Sequence, residues 1–382
     1  MPWKETCSMR ERLRFIDSLE SGHYTMTELC ARYGISRKTG YKWAQRFVDG
    51  GVEALADQSR APKSCPHQLS SEVRDALLEV RRKHPRWGPR KLLAYLRPRK
   101  PEWTLPAPST VGDLLRREGL VVPRRRRRRR SEAAAPSPVV EGPNDLWTID
   151  FKGEFRTRDR IYCYPLTVAD RFSRFLLQCR GLGSTATVGV RPWMERTFRE
   201  FGLPLGLLSD NGSPFGSRAL CGLSRLSVWW IKLGIEPHYI QPGHPEQNGS
   251  HERMHRTLKS ETARPPGPHL SAQQRRFNAF RQEFNQERPH EALGQQPPAS
   301  RYQPSPRAYP SRLEEMEYEG HFEVRRVRRD GSIKWRGNWL FLSEVLTGER
   351  VGLEEIDDGL WSVYFGIKEL GRFDEREGVL EP

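Results

Sequence analysis

The spacing of apolar residues from Asn144 onward is the feature that most restricts how this 382-residue chain can fold. Three short apolar runs, "DLWTIDF", "IYCYPLTVAD" and "SRFLLQCRGL", predict three consecutive antiparallel strands. They are followed by an amphipathic helix in "TVGVRPWMERTFREFG", a short strand, a second helix and the strand "IEPHYI". This order predicts an α/β domain on a mixed five-stranded sheet.

The first 60 residues predict a helix-turn-helix. In "TMTELCARYGISRKTGYKWAQRF", Thr25 or Thr27 caps one short helix, Gly34 makes the turn and Ser36 caps the next helix. The second helix would present three basic side chains to a DNA groove, namely Arg37, Lys38 and Lys42. The alternative is an ordinary helical hairpin with a solvated basic face.

A second unit of the same kind is predicted over residues 66–123. "SEVRDALLEVRRKHPRWGPRKLLAYLR" divides into two helices, and "APSTVGDLLRREGLV" gives a third that Ser109 or Thr110 would cap. Two tandem DNA-binding modules are therefore expected.

The charge balance points to nucleic acid as a partner. Lys and Arg number 64 against 48 acidic residues, giving a net charge of +16, and most of the basic residues are arginine, whose planar guanidinium binds phosphate. A solubilising charge excess is the alternative. Residues 124–143 are predicted to be a linker that lies along DNA phosphates or is a merely solvated tether. Its basic residues are Arg124, Arg125, Arg126, Arg127, Arg128, Arg129 and Arg130.

Composition also argues against several other classes of protein. The six cysteines are scattered without a C-x-x-C pair, which argues against a zinc ribbon or a disulfide scaffold and favours a reducing cytoplasm. The sequence lacks an apolar run long enough for a membrane span, a signal-peptide core and a P-loop. Neither a membrane association nor a nucleotide cofactor is therefore expected.

The segment "NGSHERMHRTLK" contains His251, Glu252 and His255 in the order H-E-x-x-H. On a helix, this spacing places both histidines on one face, where they could bind zinc while the glutamate acts as general base of a metalloprotease. The motif is short enough to occur by chance, so its context must decide.

That context resembles a known family. The segments "WTIDF", "SDNGSPF" and "NGSHERMHRTLK", in this order and in these structural settings, resemble the integrase core of DDE insertion-sequence transposases and retroviral integrases. The resemblance implies a ribonuclease H-like α/β catalytic core and places the catalytic and metal-binding triad on Asp150, Asp210 and Glu252. Carboxylate oxygens suit Mg²⁺, for which Mn²⁺ would substitute, and two ions per active site are expected.

The same resemblance reassigns the remaining residues of the H-E-x-x-H segment. His251 and His255 are then expected to be helix-surface or DNA-contacting residues instead of zinc ligands. Arg256 and Lys259 become candidate contacts for DNA phosphates, with a solvated helix face as the alternative.

Glu246 is a rival for the third carboxylate. It follows Asp210 after 35 intervening residues, the spacing for which the family is often named, whereas 41 residues separate Asp210 from Glu252. Glu246, however, lies in "GHPEQNG", between a proline and an Asn-Gly breaker, where a loop is expected. We favour Glu252 because it falls in the first turn of a helix, with the six extra residues placed upstream in "SRALCGLSRLSVWW".

The predicted architecture is a multidomain α+β protein. Helix-turn-helix domains at 1–60 and 66–123 and the linker at 124–143 precede a catalytic core at 144–300. A linker at 301–318 leads to residues 319–382, where short strands and clustered tryptophans predict a small β-barrel. Arginines in this last domain suggest DNA binding, and a folding or multimerisation module is the alternative.

The expected function is that of a bacterial insertion-sequence transposase. Such an enzyme binds terminal inverted repeats, cleaves the 3′ ends in a metal-dependent reaction and transfers the strands into target DNA. Its partners would be double-stranded DNA of the element ends and of the target, and further copies of itself, in the cytoplasm at the nucleoid. A catalytically inactive DNA-binding regulator or domesticated remnant is the main alternative, and a ribonuclease H fits the tandem modules poorly.

Overall fold

The computed structural model describes residues 7–59, 69–121, 139–217, 220–241 and 244–381. The arginine run at 124–130 lies outside these ranges. The chain divides into two compact units, residues 1–69 and 70–382. Within the described ranges, no helix combines the length and the apolar character that crossing a membrane requires.

The first unit contains the predicted helix-turn-helix. Its helices are α1 (Ser8–Glu20), α2 (Met26–Arg32) and α3 (Arg37–Gly50). Thr25 caps α2 in a reciprocal capping box with Glu28, and the Ser36 side chain accepts a hydrogen bond from the Thr39 amide at the start of α3. Gly34 makes the turn at a φ of +63°, a conformation that costs glycine little.

A glycine also sets the distance between α2 and α3. Gly40 is buried, and a Cβ atom there would lie 2.6 Å from the Cys30 sulfur and 2.8 Å from the Met26 sulfur. The close contact brings α3 against α2 next to the core of Phe15, Ile16 and Leu29. The basic residues Arg37, Lys38 and Lys42 of α3 are exposed.

The second unit begins with three more helices, α4 (Ser71–Lys83), α5 (Pro89–Leu96) and α6 (Pro108–Arg117). The division at Pro85 to Gly88 agrees with the prediction. The predicted cap of the third helix is wrong: α6 begins at Pro108 with Ala107 in the capping position and no side-chain cap. Proline fixes φ near the helical value and has no N–H to satisfy, so it starts the helix without Ser109 or Thr110.

The central sheet has the predicted mixed topology. Its strands and helices are β1 (Leu146–Phe151), β2 (Phe155–Arg156), β3 (Tyr162–Asp170), β4 (Leu176–Leu182), α7 (Thr187–Phe201), β5 (Gly206–Ser209), α8 (Arg225–Lys232), β6 (Glu236–Tyr239), α9 (Gly249–Thr262) and α10 (Leu270–Gln286). The strand order is β4-β3-β1-β5-β6, and the short β2 pairs with the start of β3. β1 pairs antiparallel with β3 and parallel with β5, which in turn pairs parallel with β6.

Each face of this sheet is covered by helices, and the alternation along β1 decides which residues meet them. Trp147 and Ile149 point into a core formed with α7 and α8. Thr148 and Asp150 alternate with them and therefore face the side on which α9 and α10 pack, through Met254, Leu258 and three phenylalanines of α10.

The C-terminal segment is a small β domain, but it is not a closed barrel. Its strands are β7 (Glu323–Arg326), β8 (Ser332–Trp335), β9 (Asn338–Phe341), β10 (Arg350–Asp357), β11 (Leu360–Phe365), β12 (Lys368–Asp374) and β13 (Leu380–Glu381). Five form an open antiparallel sheet in the order β13-β12-β11-β10-β7, and β8 and β9 form a separate hairpin. The predicted clustering of tryptophans is confirmed, because Trp335 and Trp361 pack in the shared core with their ring centroids 4.6 Å apart.

Candidate active site

Three carboxylates converge where β1 and β5 end and α9 begins. Asp150 lies in β1, Asp210 directly follows β5, and Glu252 occupies the first turn of α9. Burial is the main cause that raises the pKa of Asp150 from 3.8 to about 7, and the negative charges of Asp210 and Glu252 raise it further. Burial likewise raises the pKa of Asp210. The negative charges of Asp210 and Glu252 thus both act on the Asp150 carboxyl group.

A buried amide lies beside this cluster. Asn248, at the start of α9, places its Nδ2 3.5 Å from Asp150 Oδ2. Its Oδ1 is buried and has no hydrogen-bond partner in the part of the chain that the structure describes. Neighbouring carboxylates with an unsatisfied amide oxygen beside them are a donor set that suits a hard divalent cation such as Mg²⁺ or Mn²⁺.

The two histidines of the H-E-x-x-H segment are buried behind Asp150. His251 and His255 are only 2% and 3% exposed. His251 is hydrogen-bonded through Nδ1 to the Thr148 hydroxyl and through Nε2 to the Thr167 hydroxyl, both at 2.6 Å. The Thr167 hydroxyl also lies 2.6 Å from His255 Nε2 and 3.0 Å from the carbonyl oxygen of Asp150. The proton and both lone pairs of the Thr167 hydroxyl are thereby engaged in hydrogen bonds.

This network corrects the predicted surface role of the histidines, because neither imidazole is available to solvent or DNA. Burial lowers the pKa of His251 to about 3 and lowers that of His255 as well, so both rings are neutral. Asp150, His251 and His255 each offer a possible metal-ligand atom within 4.8 Å of the others. A zinc ion would nevertheless have to break a 2.6 Å hydrogen bond at His251, since both ring nitrogens are engaged.

Basic side chains surround the open side of the carboxylate cluster. A pocket of about 630 Å³ is lined by Asp150 and Glu252 together with Arg256 and Lys259, the two predicted phosphate contacts. Further basic residues along the pocket are Arg86, Lys152 and Arg264. The arrangement places positive charge where a phosphate group would approach the carboxylates.

The other predicted site residues lie elsewhere. Arg37, Lys38 and Lys42 are exposed on α3 in the first compact unit. Glu246 belongs to a 3-10 turn over Pro245–Asn248 that immediately precedes α9, and its side chain lies outside the described part of the structure.

Sequence reasoning missed Thr148, Thr167 and Asn248. Thr148 had a readable signal, because it stands two residues before Asp150 on the same face of a strand. Thr167 is the register partner of Asp150 on β3, a pairing that the sequence alone does not specify. Asn248 was interpreted only as part of a helix-breaking Asn-Gly pair.

Several stretches of the chain match models of known protein families. The integrase core domain matches residues 140–245 and 233–298. A helix-turn-helix domain matches residues 11–63, and a homeodomain-like domain matches residues 39–115. Residues 322–379 match the C-terminal domain of IS481 family transposases.

Two of the relatives come from insertion elements. The chain is 30% identical over 220 residues to the insertion element IS407 uncharacterized 31.7 kDa protein of Burkholderia multivorans, covering 57% of this chain and 76% of that protein. It is 32% identical over 159 residues to the insertion element IS476 uncharacterized 39.2 kDa protein of Xanthomonas euvesicatoria, covering 41% of this chain but only 44% of that protein.

Among solved structures, the HTLV-2 integrase catalytic core domain in complex with magnesium aligns at a TM-score of 0.34 and 16% identity, covering 42% of this chain and 98% of that one. These values are low, and the fold assignment rests on the strand order and the family matches. With the helix-turn-helix domains, the integrase core and the transposase C-terminal domain in one chain, the protein belongs to the insertion-element transposases with a retroviral-integrase-type core.

Proposed function

We propose that the protein is a DNA transposase that binds the terminal inverted repeats of its insertion element, cleaves their 3′ ends and joins them to target DNA. The observation that carries this proposal is the convergence of Asp150, Asp210 and Glu252 beside a basic pocket. Like charges in a partly buried cluster destabilise one another, and the cluster is relieved when a cation binds. Divalent ions held there would stabilise the attacking and leaving oxygens of a phosphoryl transfer.

The chain's own residues position the reacting groups. Asp150 is fixed by β1, and its carbonyl oxygen accepts a hydrogen bond from the Thr167 hydroxyl at 3.0 Å. Arg256 and Lys259 lie on α9 one and nearly two turns beyond Glu252, so all three side chains line the same pocket. They would hold the phosphates next to the scissile bond, because guanidinium and ammonium groups bind phosphate oxygens in charge-assisted hydrogen bonds.

The packing of the segment between β5 and α8 supports Glu252 as the third carboxylate. The segment in which the extra residues are expected includes Cys221, whose sulfur lies 3.0 Å from the carbonyl oxygen of Leu370 in β12. Leu223 packs in the same apolar core as the C-terminal sheet. An insertion in this segment would therefore have its own packing role and would leave the helical position of Glu252 unchanged.

The helix-turn-helix domains supply the recognition of DNA in this proposal. Arg37, Lys38 and Lys42 would contact the element end, and the run Arg124–Arg130 would follow the phosphate backbone. Because two element ends must be brought together, the active form would be a homo-multimer. The reaction would take place in the cytoplasm, at the nucleoid.

The test is cleavage and joining of labelled duplex DNA that carries the element ends, with Mg²⁺, with Mn²⁺ or with a chelator. Wild type is compared with Glu252→Gln and Glu246→Gln, which serve as matched controls for each other. We expect Glu252→Gln to lose both reactions while retaining DNA binding, and Glu246→Gln to keep them.

Two outcomes would overturn parts of the proposal. Loss of both reactions in Glu246→Gln alone would move the third carboxylate to that residue. A wild-type protein that binds the ends but neither cleaves nor joins them with either metal would identify a DNA-binding regulator.

A further inference from the structure

A second basic cavity lies on the other side of α9 from the carboxylate cluster. It has a volume of about 600 Å³ and lies between α5 and the integrase core. Three elements converge on it: Lys91 comes from α5, Arg174 from the turn between β3 and β4, and Arg253 from α9. Arg253 follows Glu252 directly, and the 100° rotation per helical residue turns it away from the active-site pocket.

These three cations have no hydrogen-bond or ion-pair partner in the described ranges. Lys91 and Arg174 are half-buried, whereas Arg253 is exposed. Burial is the main cause that lowers the pKa of Lys91 to about 8, and the nearby Arg288 lowers it further. Burial, followed by the charge of Arg253, lowers the pKa of Arg174. Arg174 also adopts a left-handed backbone with a φ of +64°, which is unfavourable for a residue with a Cβ.

The carboxylates near the cavity already have partners. Arg288 holds Glu261 at 3.1 Å and Glu283 at 3.6 Å. Glu291 pairs with Arg90 at 3.3 Å.

Asp170, the remaining acid of the lining, is also satisfied. Its Oδ1 accepts a hydrogen bond from the Asn144 amide at 2.8 Å, and its Oδ2 accepts one from the Ser173 amide at 2.7 Å. The charged side chains around the cavity that lack a hydrogen-bond or ion-pair partner are therefore positive. Glu261, Glu283 and Glu291 act on Lys91, and Asp170 acts on Arg174, but burial outweighs their attraction and lowers the pKa of both cations.

We propose that this cavity binds a phosphodiester of the DNA strand that runs from the second helix-turn-helix segment to the active site. The proposal rests on the proposed transposase function and adds a DNA contact to it. Lys91 belongs to the same three-helix segment as α6, so a phosphate held jointly by Lys91, Arg174 and Arg253 would join that segment to the integrase core. The DNA would thus be held on both sides of α9, with the cavity on one side and Arg256 and Lys259 on the other.

The test measures binding of the full chain to a fluorescent duplex of the element end, by anisotropy over a range of salt concentrations without divalent ions. The cavity variant combines Lys91→Gln, Arg174→Gln and Arg253→Gln. The control variant removes the same charge from exposed arginines that lie outside the cavity, and it combines Arg275→Gln, Arg301→Gln and Arg312→Gln.

We expect the magnitude of the slope of log K against log salt to fall by roughly 1 in the cavity variant, the contribution of one neutralised phosphate, and to stay near the wild-type value in the control. Lys91→Arg, which keeps the charge, should keep the wild-type slope. Equal changes in the cavity and control variants would overturn the inference.

A second measurement does not depend on the folding of the triple variant. Neutral methylphosphonate linkages are placed singly along each strand, and wild type is compared with Arg253→Gln, which changes an exposed residue. A neutral linkage at one or two positions should weaken DNA binding by wild type but not by Arg253→Gln. Losses that are the same for both proteins at every linkage would contradict the assignment.

The remaining outcomes separate this inference from its alternatives. If inorganic phosphate at constant ionic strength raises the melting temperature of wild type but not of the cavity variant, while their DNA slopes are equal, the ligand is free phosphate and the DNA assignment is wrong. If wild type cleaves the ends but the cavity variant binds DNA like the control, the proposed function stands and only this DNA contact is refuted. If wild type fails to bind the ends, both the proposed function and this DNA contact are refuted.

Discussion

Replacing Asp150 by asparagine should stabilise the metal-free protein, although it should abolish the proposed reaction. The carboxyl group is held at a pKa of about 7 instead of 3.8 by burial and by Asp210 and Glu252. At 1.36 kcal/mol per pKa unit, ionising it in the folded protein costs about 4 kcal/mol. This is an upper limit, because 20% of the side chain is exposed to water.

The sign of the pH dependence follows from the raised pKa. Between about pH 4 and pH 7 the folded protein holds this proton more tightly than the unfolded chain, so the free energy of unfolding falls as the pH rises through that window. Asp150→Asn removes this term. Its stability advantage over wild type should therefore grow by about 2 to 3 kcal/mol between pH 5 and pH 8.

The assay is guanidinium denaturation of both proteins in a chelator at pH 5 and at pH 8, with exposed Asp75→Asn as the matched control. Added Mg²⁺ should stabilise wild type at pH 8 and have a much smaller effect on Asp150→Asn, because binding to the folded state alone raises stability. An Asp150→Asn protein that is less stable than wild type at pH 8, or an advantage that is the same at both pH values, would refute the reasoning.

Three further predictions concern polar side chains that are buried or half-buried. Thr167→Val removes the hydroxyl shared by the two buried imidazoles and should lower the free energy of unfolding by about 1 to 3 kcal/mol, whereas Thr167→Ser should retain most of the wild-type stability. A Thr167→Val protein as stable as wild type, or less destabilised than Thr167→Ser, would contradict this role of the hydroxyl. Asn285→Ala should lower the free energy of unfolding by about 2 to 3 kcal/mol. The Asn285 side chain accepts a hydrogen bond from the Leu176 N–H at 2.8 Å and donates one to the Leu176 carbonyl oxygen at 3.0 Å. A melting temperature no lower than that of wild type would contradict this prediction. Lys91→Met should raise the free energy of unfolding at pH 7, since burial lowers the pKa of Lys91 to about 8 and disfavours its charged form. This gain should shrink as the pH rises from about 8 to 10.5, and denaturation at pH 7 and pH 10 would detect or exclude the trend.

Much of the candidate site follows from the sequence because its residues lie at the ends of recognisable elements. Asp210 ends a short apolar run, and Glu252 follows an Asn-Gly pair that begins a helix, so their settings are encoded locally. The opposite holds for His251 and His255. Their i, i+4 spacing predicts a shared helix face, but it does not reveal whether that face meets solvent or a sheet, and the exposed interpretation was wrong.

The sequence by itself determined the Ser36 cap of α3, the order of strands and helices in the core and the elements that carry the three carboxylates, since each depends on residues a few positions apart. Only the tertiary structure decided that Thr167 opposes Asp150, that the C-terminal sheet stays open, and that Lys91, Arg174 and Arg253 meet around one cavity. These features arise from strand register and from the packing of elements far apart in sequence. Such packing is set by the sum of many weak contacts, and short-range patterns do not carry that information.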